Sequence, residues 1–174
     1  GEGTDTLVID NNATNQMVLR GIEKLTLTKT ATGANVINSA DSAIAVTVEA
    51  GKAGATPSTA ASITGLTSGS TVTVNDSKDA TGGVQALTVG YKDLEAAATI
   101  DVNSVKAATG AVTITNVTAA TIDFAKDASF TAGGISAANT KSLTITGADA
   151  VSTGVITAAN IETVSATAAK ALSV

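Results

Sequence analysis

The opening run Gly1-Glu2-Gly3-Thr4-Asp5-Thr6-Leu7 sets glycines at alternate positions ahead of one aspartate and an aliphatic step. Glycines permit tight turns with the carbonyls facing inward, and the Asp5 carboxylate adds the hard oxygen that calcium prefers. Gly1, Gly3, Asp5 and Leu7 fall on the second Gly, third Gly, Asp and aliphatic positions of G-G-x-G-x-D-x-U-x, a β-solenoid repeat that binds calcium. Calcium takes roughly six to eight oxygens, and one such turn offers about half of them. A second repeat one coil away is therefore needed. Gly82-Gly83 is followed by Val84-Gln85-Ala86 and Gly133-Gly134 by Ile135-Ser136-Ala137, neither with an aspartate. Gly1, Gly3 and Asp5 are expected to make half a metal site over residues 1–10, sharing any calcium with sequence outside this chain.

Other groups offer less. Asp76 with Asp79, and Asp93 with Glu95, are carboxylate pairs of the kind glycoside hydrolysis uses, but that chemistry also needs a cleft that holds a sugar. Arg20 is the sole arginine and Tyr91 the sole tyrosine, so both pairs are expected in solvated turns and no enzyme is expected. The runs Thr26–Thr28, Thr71–Thr73, Thr113–Thr115 and Thr144–Thr146 place two hydroxyls on one strand face around an inward aliphatic. Their irregular spacing argues against a flat hydroxyl array. Asp10 to Thr14 fits an acidic N-glycosylation sequon with Asn12 as acceptor, a pattern that chance produces readily in a chain rich in Asn and Thr.

Composition removes whole classes of function. With no His and no Cys there is no Ser-His or Cys-His pair, no imidazole or thiolate zinc site and no disulfide framework. The net charge of −5, with basic residues scattered singly, leaves no footprint for nucleic acid. Mean hydropathy is +0.30, yet alanine raises it, and no apolar run approaches the ~18 residues a membrane helix needs. No membrane insertion is expected.

Which elements would position these residues? The hydrophobic fraction is 44% while aromatics are 2%, so the core must be thin and aliphatic, as stacked β layers are. Period-two runs recur at 6–10, 22–28, 43–50, 70–76, 86–90, 98–102, 111–117, 120–125, 142–146 and 161–166, bounded by Gly, Asn, Asp or Ser. Tyr91 to Thr99 holds good helix formers but spans two turns at most, so no helix is expected. Gly21 to Thr28 is echoed by Asn160 to Thr167, with Ile22 and Ile161, Glu23 and Glu162, Leu25 and Val164 aligned. No Asn-Gly or Asp-Gly hairpin signal occurs. The expectation is an all-β chain: an irregular right-handed parallel β-helix or β-solenoid, with a β-sandwich of Ig-like type as the alternative. Residues 1–174 read as a single β-rich domain, a segment of a longer chain. Residues 50–62, which hold the only proline, Pro57, read as an excursion loop.

The succession Gly1 to Asp10, a polar stretch, then Gly21 to Thr28 resembles the RTX-type surface-layer (S-layer) proteins and large adhesins of Gram-negative bacteria, in which G-x-G-x-D-T-L leads to G-[IV]-E-x-[LIV]-x-[LIV]-T. The motifs proper cover Gly1 to Thr28, with the weaker echo at Asn160 to Thr167. The resemblance implies secretion to the cell surface, calcium-assisted folding and assembly with identical protomers into a lattice. The alternative it implies is a stalk or binding module of a calcium-dependent secreted adhesin. Contact with cell-surface polysaccharide would fall to other domains.

Overall fold

A computed structural model describes residues 3–9, 15–28, 34–50, 61–76, 86–103, 111–124, 130–131, 133–168 and 172–173. All regular elements among them are strands. In chain order these are β1 (Thr6–Ile9), β2 (Asn15–Leu19), β3 (Lys24–Leu27), β4 (Ala34–Ala40), β5 (Ala45–Ala50), β6 (Ala61–Leu66), β7 (Thr71–Asp76) and β8 (Leu87–Asn103). They continue as β9 (Val112–Phe124), β10 (Phe130–Thr131), β11 (Ile135–Ala137), β12 (Ser142–Gly147), β13 (Val151–Ser152), β14 (Ile156–Thr157), β15 (Thr163–Ala168) and β16 (Leu172–Ser173).

Every pairing among the described residues is parallel, and the chain is a β-solenoid. Face one stacks β1, β3, β5, β7, β8, β9, β12 and β15. Face two stacks β2, β4, β6, β8, β9, β11 and β14. Strands β8 and β9 run through the corner between the two faces without a break, so each contributes to both. A third, short ladder of β10, β13 and β16 closes the later coils. Strands one coil apart pair in parallel, and among the described residues no strand turns back to pair antiparallel with its neighbour, which excludes the Ig-like sandwich.

The core is built from columns. On face one Leu25, Val46, Val72, Ile100, Ile122 and Ile145 stand in register, each at most 1% exposed. Ile63, Val89, Ile114 and Ala137 form a buried column on face two. Alternation puts every second side chain inside, and a ~4.8 Å rung spacing lets one β-branched side chain rest on the next. This is why the chain needs so few aromatics. Phe124 is buried at the end of β9, with Gly147 as its partner on the next rung.

Length differences between coils are absorbed away from these columns. Leu7 to Leu25 spans 18 residues, whereas Val72 to Ile100 spans 28, yet both pairs are in register. At the corner of β8 the register shifts between Gly90 and Glu95, leaving Tyr91 to Leu94 opposite the single residue Asn116. The Tyr91–Thr99 stretch is strand throughout. Of the expected excursion loop 50–62, Ala50 closes β5 while Ala61 and Ser62 open β6; Pro57 lies outside the described residues.

The echo between Gly21–Thr28 and Asn160–Thr167 is out of phase in space. The Leu25 column leads through Ile145 to Ala166, not to Val164. A two-residue offset keeps inward residues inward, so the sequence similarity survives without structural equivalence.

Candidate functional site

The first coil carries the residues of the expected half cage. Gly3 and Asp5 precede β1 and are exposed; Gly1 lies outside the described residues. Gly3 has φ of +144°, with open space around it. The Asp5 carbonyl accepts from the Glu23 and Lys24 amides at 3.2 and 3.1 Å, and the Asp5 amide donates to Glu23 Oε2 at 2.7 Å. The main chain of Asp5 is thus tied to the next coil, and one Glu23 carboxylate oxygen is committed to that tie. Among the described residues no group of three or more acidic side chains is placed to hold a metal ion. Asp5 and the remaining Glu23 oxygen fall short of the roughly six to eight ligands calcium takes.

The outward surface of face one is ordered despite the irregular sequence spacing. Thr71, Thr99, Thr121, Thr144 and Ser165 form one column of hydroxyls. Thr26, Thr47, Thr73, Asp101, Asp123, Thr146 and Thr167 form the next. Insertions fall at corners and leave the rungs in step, so Thr26, Thr73 and Thr146 share a column although their spacing in sequence is irregular. Thr113 belongs to face two, in a column with Ser62, Thr88, Ser136 and Thr157. Asp101 and Asp123 are neighbours in register, both half-buried. Thr146 Oγ1 donates to Asp123 Oδ1 at 2.5 Å, which stabilises a carboxylate that faces another of like charge.

Of the two carboxylate pairs, Asp93 is exposed and Glu95 half-buried at the β8 corner, while Asp76 ends β7 and Asp79 lies outside the described residues. Beneath that corner sits Tyr91, 3% exposed. Its hydroxyl donates to the Ser70 carbonyl, and the Ser70 hydroxyl accepts from the Ile44 amide at 3.1 Å. Burial, and then the negative charge of Glu95, push the Tyr91 phenol up to about 12. The neutral donor is therefore the form this site holds.

The chain matches no protein-family model, no curated protein and no solved structure. What the site can do must follow from its own groups.

Corner asparagines were not anticipated from the sequence. Asn116 adopts φ of +60°, a conformation that suits Asn better than most residues. Its Nδ2 donates to the Tyr91 carbonyl at 2.8 Å and its amide to Asn139 Oδ1 at 3.4 Å. One coil on, Asn160 Nδ2 donates to the Ala138 carbonyl at 2.8 Å. Thr140, fully buried, donates to the Val117 carbonyl at 2.9 Å. The available signal was the repeat Ile135-Ser-Ala-Ala-Asn139 and Ile156-Thr-Ala-Ala-Asn160. Earlier in the chain a different device serves: both Asp41 carboxylate oxygens accept from the Gly21 amide, at 3.2 and 3.0 Å. The Lys141–Glu162 ion pair at 3.1 Å is exposed and contributes little. These contacts fix the path of the chain between faces and leave the hydroxyl and carboxylate columns as the outward chemistry.

Proposed function

We propose that this chain is a structural building block of an extracellular bacterial surface layer, acting through lateral and end-to-end contacts between identical protomers and not through catalysis. The observation that carries the reading is the eight-strand parallel ladder of face one, stiffened by buried aliphatic columns. At a ~4.8 Å rung spacing it is roughly 34 Å long. Its two edge strands, β1 and β15, each pair on one side only among the described residues. Half-buried Leu7 and Ile9 stand at one end, and Ile156, Ile161 and Ala166 at the other. Small Thr, Ser and Asp side chains on the flanks suit repeated lateral contacts, in which many weak contacts add up.

The opening Gly-x-Gly-x-Asp run supports secretion and a calcium-associated location at the cell surface, with calcium completed by groups outside this chain. The net charge of −5 fits a protein that does not bind nucleic acid, and contact with cell-surface polysaccharide belongs to other domains. No helix among the described residues is long and apolar enough to cross a membrane. A rod-like ladder also suits the stalk or binding module of a calcium-dependent secreted adhesin.

Sedimentation velocity over a concentration series, in calcium and in chelator, separates the two. A lattice block sediments as growing oligomers as concentration rises, whereas an adhesin stalk stays monomeric throughout.

A further inference from the structure

We draw no further inference here: the strongest candidate, the outward hydroxyl column of face one from Thr71 to Ser165 with Asp101 and Asp123 stacked beside it, is a stripe of small and acidic side chains, and nothing in the structure shows what covers it.

Discussion

The Tyr91 hydroxyl donates to the Ser70 main-chain carbonyl at 2.6 Å, a buried bond between residues 21 positions apart that ties one coil to the next. Tyr91→Phe keeps the ring and removes the donor, leaving a buried carbonyl without that partner. The loss should be about 1–3 kcal/mol of stability, read from urea unfolding midpoints at unchanged slope. A variant as stable as the parent would show that the bond carries no net weight.

The same tyrosine gives a pH signature. Its phenol is pushed up to about 12, first by burial and then by Glu95, against ~10 in an unfolded chain. A raised folded value means stability that is fully present below about pH 10 and lost as pH rises through about 12, on the order of 3 kcal/mol in all. Tyr91 is the only tyrosine, so tyrosinate absorbance reports it alone. Ionisation should coincide with loss of the β circular-dichroism signal. Ionisation near pH 10 with the fold intact would contradict the buried, bonded phenol.

Two glycines differ in what surrounds them. Gly65 has φ of +76°, and a Cβ there would lie 2.2 Å from the Ile37 carbonyl oxygen on the adjacent strand, whereas Gly21 has φ of +60° with nothing within 4 Å. Gly21→Ala should therefore cost only the left-handed strain, about 1–2 kcal/mol. Gly65→Ala adds a backbone clash and should cost clearly more, in thermal or urea unfolding. Equal losses would mean that β4 and β6 do not approach as closely as described.

Asp101 and Asp123 face each other across adjacent rungs, and like charges directly opposite are unfavourable. Asp101→Asn should raise stability by about 0.2–1 kcal/mol at low salt, with the gain shrinking as salt screens the pair. Asp123→Asn should gain less, because Thr146 donates to that carboxylate. Destabilisation by Asp101→Asn at every ionic strength would sink the account of this pair.

Face one was the legible face. Val-Thr-Val at 72–74, Thr-Ile-Asp at 121–123 and Thr-Ile-Thr at 144–146 alternate sharply, and the structure makes each of them strand with the aliphatic inside. Face two was largely missed. Its strands Asn15–Leu19, Ala34–Ala40 and Ile135–Ala137 are short or diluted with Asn, Ser and Ala, so their alternation has little contrast, and register with a neighbouring coil decides them. The same cause hid the order of the threonines. Spacing in sequence varies with corner length, whereas alignment in space depends only on the columns. The sequence marks Tyr91 only as its sole tyrosine, since nothing local shows that a four-residue bulge turns its ring beneath Ser70. At the opening run, residue types alone suggest a half cage of Gly1, Gly3 and Asp5, whereas the tie between Asp5 and Glu23 joins residues 18 apart and needed the fold.

Electron microscopy of the purified full-length protein, in which the calcium site is complete, with calcium and with chelator, tests the lattice reading most directly. The account predicts ordered assemblies, two-dimensional sheets or end-to-end arrays of the solenoid, that form with calcium and disperse without it. Separate, unordered particles of single-protomer size in both conditions would contradict it.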